Sequence, residues 1–285
     1  MILQLVHNKG FQWYAIENIS VKGYLFDTKG ALWEGENLLS YVQQFKSVQA
    51  LQSALRVANG AFAVVFVSEK EVLVMVDRIR SFPLFYAMDQ HQLLVSDDAL
   101  VLSKIKGDSS LDELSVSFVK YLNYAPANRT LLTGVFQLQA GQMLVYQTHN
   151  CELQLDFYYH HVHLYRHEPV ESTLVNVFED KLRLVFERLV QSAKGKTLMI
   201  PLSGGLDSRL IVAMLKQLNY SKVICYTYGN PESHEVTTAQ KVAESVGYPW
   251  LFIDYSAPLY ATYLSQQAHD FRKYCGNAAT FPQEQ

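Results

Sequence analysis

Between Lys196 and Leu215 the chain reads KTLMIPLSGGLDSRLIVAML: an apolar run, a knot of small polar residues, then a second apolar run. Such a knot inside core material constrains the fold strongly. A buried strand ends there and a helix begins, and Gly204 and Gly205 lack the Cβ atoms that would resist so sharp a junction. The surrounding pattern agrees. Leu174, Val177, Phe178, Leu182, Val185 and Leu189 recur at helical spacing and predict a long helix ending near Ser192. Strand 197–202, helix 207–218, strand 222–228, helix 235–246 and strand 249–255 then follow, with Gly247 placed to close the last helix in a left-handed turn. This alternation predicts a parallel sheet with right-handed crossovers.

The first half reads differently. Short aliphatic and aromatic runs at 23–27, 61–67, 71–77, 91–97, 141–147 and 153–165 predict strands, several separated by polar turns such as SEK and MDQ. Helical spacing marks Leu38 to Leu55, and again Asp112 to Leu122. The period changes after the RHEP stretch, so a domain boundary is expected within 166–171. Neither a repeat nor a low-complexity segment interrupts this division.

Composition removes several function classes. The 285 residues are 49% hydrophobic and 18% charged, which suits a large core and excludes disorder. A net charge of -3, without a Lys/Arg block, disfavours nucleic acid and anionic membranes as partners. Cys151, Cys225 and Cys275 form no C-x-x-C pair, as in a reduced cytoplasmic protein. The opening MILQLVHNKG is too short in apolar residues, and lacks the basic flank, for a signal peptide. No apolar run reaches the roughly 20 residues that span a bilayer. The expectation is a soluble, cytoplasmic protein.

The knot itself suits an anion. A helix N-terminus facing the carboxyl end of a parallel strand offers backbone N–H groups and the positive end of a dipole. Gly204 and Gly205 allow phosphate oxygens to approach the backbone, and Ser203 and Ser208 add hydroxyl donors. The carboxylate of Asp207 repels phosphate unless a cation lies between, which suggests Mg²⁺ bridging it to a polyphosphate. A Walker loop is rejected, because Val190 stands where its first glycine belongs and Lys196 precedes the strand. A nucleophile elbow fails too, because no glycine stands two before Ser203.

SGGLDS resembles the PP-loop of ATP-pyrophosphatases, which cleave ATP between the α and β phosphates. NGAFAVVF (59–66), DRIRSFPLFY (77–86) and VSDDAL (95–100) resemble, in order, a class II glutamine amidotransferase domain. YTYGNPESHEVTTAQKVAESVGYPW (226–250) resembles the segment that follows the PP-loop in asparagine synthetase-like proteins. Nearly the whole chain is covered. The resemblance implies an α+β, Ntn-type αββα sandwich over 1–168, a degenerate amidotransferase-like domain. It implies an α/β parallel-sheet PP-loop domain, adenine nucleotide α-hydrolase-like, over 169–285. It further implies an AMP-forming amide ligase using ATP and Mg²⁺. A substrate carboxylate, aspartate-like, attacks the α-phosphorus, and the acyl-adenylate then accepts ammonia or an amine. Ser203, Gly204, Gly205, Asp207 and Ser208 would hold the pyrophosphate with Mg²⁺. Leu202 and Tyr228 would lie near adenine, with strand-end packing an equal reading of Tyr228. A homodimer is compatible with this family.

Two departures qualify the resemblance. Members normally carry a cysteine directly after the initiator methionine. Here residue 2 is Ile2, no cysteine precedes Cys151, and the glutamine-holding arginine loop is not recognisable. A thiolate must attack glutamine, so no glutaminase activity is expected and no catalytic residue is assigned. Members also continue past the position of Gln285, so a fragment or truncated product is expected. These departures leave two alternatives open: an intramolecular, lactam-type amide synthetase, and a silent remnant serving as an interaction module. His161 and His163 would share a strand face, yet no partner cluster accompanies them and no metal role is assigned. Arg209 suits either a phosphate contact or a solvent-facing helix position, and Glu235 suits the dipole of its own helix.

Overall fold

The structure is a computed structural model that describes residues 1–8, 10–162 and 172–254. The chain divides into two compact units, parted between residues 163 and 164.

The first unit has four layers. Its strands and helices are β1 (Ile2–Gln4), β2 (Trp13–Ile16), β3 (Ile19–Phe26), β4 (Leu32–Glu34), α1 (Glu36–Gln43), α2 (Val48–Val57), β5 (Asn59–Val67), β6 (Glu71–Val76), β7 (Phe85–Asp89), β8 (Gln92–Ser96), α3 (Ala99–Lys106), α4 (Glu113–Leu122), β9 (Val135–Gln137), β10 (Gln142–Gln147) and β11 (Glu152–Phe157). One sheet runs β11-β10-β6-β5-β3-β2 with β4 beside β3, and the other runs β1-β8-β7-β9. Strand alternation divides the apolar residues between faces. Phe62, Val64 and Phe66 of β5 point to Leu38, Val42, Leu51 and Leu55 of α1 and α2. Ala63 and Val65 point the other way, to Tyr86, Leu93 and Val95 of the second sheet. On that sheet's outer face Phe85, Ala87 and Leu94 meet Leu102 of α3. This is the αββα sandwich that the resemblance implies. Two devices set its geometry. Gly23 has φ 89, and a Cβ there would stand 2.1 Å from the Ala61 carbonyl oxygen, so β3 and β5 approach only through glycine. The fully buried Asp77 carboxylate accepts from Phe62 N (3.1 Å), Ile79 N (2.9 Å) and Ser81 N (2.9 Å), which ties the turn after β6 to β5.

The second unit comprises α5 (Ser172–Ala193), β12 (Leu198–Pro201), α6 (Leu206–Gln217), β13 (Val223–Gly229), α7 (His234–Val246) and β14 (Trp250–Asp254). The strands are parallel in the order β12-β13-β14, with Ile200 opposite Cys225 and Cys225 opposite Trp250. Strand order follows chain order, so right-handed crossovers place α6 and α7 on one face. There Ile200, Leu202, Val223 and Cys225 pack against Phe186, Val212, Leu215, Ala239 and Ala243. Each Val, Leu, Ile or Phe side chain among them stabilises by about 1.5–3 kcal/mol on full burial. Gly247 closes α7 at φ 73, as the sequence predicts. Among the described residues no helix is long and apolar enough to cross a membrane.

Some sequence expectations shift. The helix expected over 38–55 is two helices, because Ser47 caps α2 by accepting from Ala50 N at 3.2 Å. The strand expected over 153–165 stops at Phe157. His160 and His161 lie beyond it, so His161 has no strand face to share. His163, Cys275 and the boundary expected at 168/169 lie outside the described residues. The short β1, β2, β4, β7 and β9, and α3, were not anticipated from periodicity.

Candidate functional site

The knot lies where the carboxyl end of β12 meets the amino end of α6, as expected. Leu202 is buried at 2% exposure and anchors the base of the loop. Its N–H donates to the Tyr226 carbonyl at 2.8 Å, and its carbonyl accepts from Thr227 Oγ1 at 2.7 Å. Thr227 Oγ1 in turn accepts from Trp250 Nε1 at 2.9 Å. The hydroxyl of Thr227 therefore ties the loop base to both neighbouring strands. Thr227 and Trp250 carry this support and were missed at the sequence level, since nothing local to either residue marks it.

Above that base the loop closes on itself. Ser203 N donates to Ser208 Oγ at 3.0 Å, and the Ser203 and Ser208 hydroxyls lie 3.0 Å apart. Gly205 N donates to Ser203 Oγ at 3.1 Å. Ser203, Gly205 and Ser208 are thus brought together, with Gly204 between them in the loop. Gly204 packs against α7, where an added Cβ would stand 3.1 Å from Glu235 Cγ. No side chain caps α6, whose N-cap is Gly205, whereas Ser233 caps α7 by accepting from Val236 N at 3.2 Å. Asp207 is exposed in the first turn of α6, open to solvent on the same end of the sheet. Tyr228 is 54% exposed near the carboxyl end of β13, and Asp254 is exposed at that of β14. Both backbone polar groups of Leu202 are already engaged, so any adenine contact there must share its carbonyl.

Arg209 is not a solvent-facing helix residue. It bends back so that Nη2 donates to the Gly204 carbonyl. The sequence signal available was its place in the first turn and a half of a helix, where long side chains lean toward the N-terminus.

The first unit carries no thiol at its amino end. Ile2 sits in β1, partly buried against the core beneath α3, and Ile2 pairs with Leu94 of β8. The neighbouring segment is organised by Asp97, which accepts from Val6 N (2.7 Å), His7 N (3.0 Å) and Trp13 Nε1 (2.7 Å). Lys22 Nζ donates to the His7 carbonyl at 2.7 Å. Burial pushes the Lys22 ammonium pKa down, and the nearby Asp97 partly offsets this. Cys151 lies in the turn before β11 and Cys225 in β13, where burial pushes its thiol up, away from nucleophilic character. Among the described residues no group of three or more His, Cys, Asp or Glu side chains is arranged to hold a metal.

Comparison with known proteins bears on both halves of the chain. A glutamine amidotransferase domain family matches residues 36–159, and the asparagine synthase family matches residues 183–276. The chain is asparagine synthetase-like. The two matches stand in the order that the sequence motifs predict, and the first falls on the αββα sandwich of the first unit. No curated protein matches the chain. Solved structures similar to it include glutamine phosphoribosylpyrophosphate amidotransferase from B. subtilis, complexed with ADP and GMP. It has 15% identity over 88% of this chain and 52% of that one, with a TM-score of 0.31. Another, an allosteric regulatory enzyme of purine biosynthesis, has 14% identity over 90% of this chain and 52% of that one, with a TM-score of 0.31. The chain thus spans about half the length of these proteins, at 52% of each.

Proposed function

We propose that this protein is an ATP-dependent, AMP-forming amide ligase of the asparagine synthetase type. A degenerate amidotransferase-like domain over 1–168 precedes an ATP-binding PP-loop domain over 169–285. One observation carries the reading: the Ser203–Ser208 loop gathers Gly205 N–H and two hydroxyls at the start of a helix that no side chain caps. The donor set suits an anion, because Ser203 Oγ fills the place that a phosphate oxygen would take against Gly205 N–H.

In this reading Ser203, Gly204, Gly205 and Ser208 hold the β and γ phosphates of ATP, and Leu202 and Tyr228 border the adenine. Asp207 would hold Mg²⁺ through the polyphosphate, and the ion would neutralise charge as pyrophosphate departs. A substrate carboxylate oxygen attacks the α-phosphorus, the bond to the bridging oxygen breaks, and an acyl-adenylate forms. Ammonia or an amine then attacks the acyl carbon and AMP leaves. The protein contributes position and charge stabilisation, not an acid–base pair. Nitrogen comes from ammonia or from an amine, since Ile2 occupies the place of the glutamine-attacking cysteine. That same substitution favours a second reading, in which the amine belongs to the substrate itself and the product is a lactam.

The test is release of pyrophosphate and AMP from ATP across a panel of carboxylic acids, with and without ammonia. The Asp207→Ala variant is expected to lose the activity by about a hundredfold, the scale on which preorganised charge stabilisation acts. Full activity in that variant overturns the assignment of the loop. Product formed without added ammonia selects the intramolecular reading.

A further inference from the structure

We propose that Arg209 is a positioning residue that sets the peptide between Gly204 and Gly205 in its anion-receiving orientation; this rests on the reading of the loop as a polyphosphate site. A peptide flanked by two glycines meets little steric resistance to rotation, so it needs an anchor to hold one orientation. The structure supplies one at each end. Arg209 Nη2 donates to the Gly204 carbonyl, and Gly205 N–H donates to Ser203 Oγ at 3.1 Å. The peptide is planar and trans, so its C=O and N–H point in opposite directions. Drawing the carbonyl toward Arg209 therefore turns the Gly205 N–H toward the two serine hydroxyls. A free carbonyl could swing into the loop, where its oxygen would repel phosphate.

The guanidinium gains little for itself there. Its Nε is buried with no partner among the described residues, and Arg209 forms no ion pair with a carboxylate among them. An unsatisfied buried donor on a charged group is destabilising, so the unliganded protein bears a cost at this position. A bound polyphosphate supplies the missing negative charge. It also replaces a neutral hydroxyl acceptor on Gly205 N–H by a charged one. Arg209 thus favours the anion twice, through peptide orientation and through its field.

The experiment is calorimetric titration of the full chain, with magnesium present, using ATP, inorganic tripolyphosphate and adenosine as separate probes. Arg209→Ala is expected to weaken ATP and tripolyphosphate by about tenfold or more, the value of a charge-assisted hydrogen bond, and to leave adenosine unchanged. Arg209→Lys, which restores a cationic donor, is expected to recover part of the loss. A merely structural role would lower the thermal midpoint and weaken all three probes together. If Arg209→Ala does not fold, Arg209→Lys decides the matter by the same split between tripolyphosphate and adenosine. Wild-type affinity for tripolyphosphate in the variants overturns the positioning role alone. A wild-type chain that binds neither ATP nor tripolyphosphate overturns the loop reading, and this inference with it.

Discussion

Replacing Gly204 by alanine tests how closely the loop and α7 approach. An added Cβ would lie 3.1 Å from Glu235 Cγ, 3.4 Å from Glu235 Cα and 3.8 Å from Thr238 Cβ. The first contact is tighter than ordinary packing but involves a flexible, exposed side chain. The second, with helix backbone, is at ordinary van der Waals distance and needs no shift of α7. Overpacking of this kind costs about 1–2 kcal/mol when a neighbour can give way by a few tenths of an ångström. The backbone at 204 has no positive φ, so the penalty is steric and not torsional. Glu235→Ala removes the Cγ atom and with it the closest contact. Alone it should cost about 0.3–1 kcal/mol, the value of an acidic side chain in the first turn of a helix. The double variant should then be more stable than the sum of the singles by about 0.5–1 kcal/mol. Trp250 is the second unit's tryptophan and reports its unfolding in urea, with equal slopes required before the midpoints are compared. Strict additivity would refute the argument, because it would mean that residues 204 and 235 do not meet.

Three further outcomes follow from the same geometry. Thr227→Val keeps shape but leaves the Leu202 carbonyl and Trp250 Nε1 without their partner, so it should cost about 2–3 kcal/mol in urea unfolding and weaken tripolyphosphate binding; a wild-type midpoint would contradict the anchoring role. Arg80 holds φ 59, burial pushes its pKa down to about 10, and its Nε and Nη2 have no hydrogen-bond partner among the described residues, although its Cζ lies 5.7 Å from the Phe85 ring centroid. Arg80→Gly should therefore raise stability by about 1 kcal/mol, after allowance for glycine's greater freedom when unfolded, and a drop in thermal midpoint would contradict this. Lys22 has a folded pKa below its ordinary 10.5, so the unfolded chain binds more protons in the window beneath that value. Stability should accordingly rise as pH climbs toward 10.5, and Lys22→Met should flatten the rise in thermal melts; an unchanged slope would show that another group causes it.

The parts of this protein that its sequence announces are those held by local signals. Strand and helix alternate within the second unit over spans of about a dozen residues, so periodicity alone placed β12, α6, β13, α7 and β14 nearly to the residue. The first unit resisted such reading where its pairings are distant. β1 is three residues long and pairs Ile2 with Leu94, and β9 pairs Val135 with Ala87, so neither carries a period of its own. The candidate site shows the same division. Ser203, Gly205 and Ser208 bond to one another across at most five positions, with Gly204 between them, and their spacing is visible in the chain as written. Thr227, Trp250 and Glu235 support that loop from distant parts of the chain, Thr227 reaching back 25 positions to Leu202, and only the fold reveals them.

That division bears on how the site works. A loop whose internal hydrogen bonds already aim its donors inward spends little on reorganisation when an anion arrives. Ser203 Oγ need only yield its place at Gly205 N–H, while the Thr227 hydroxyl keeps the base fixed and Arg209 keeps the peptide turned. The motif therefore specifies what is bound, and the distant residues determine how rigidly it is held. Variants of the first kind should abolish anion binding outright, whereas variants of the second should lower affinity in step with the loss of loop order.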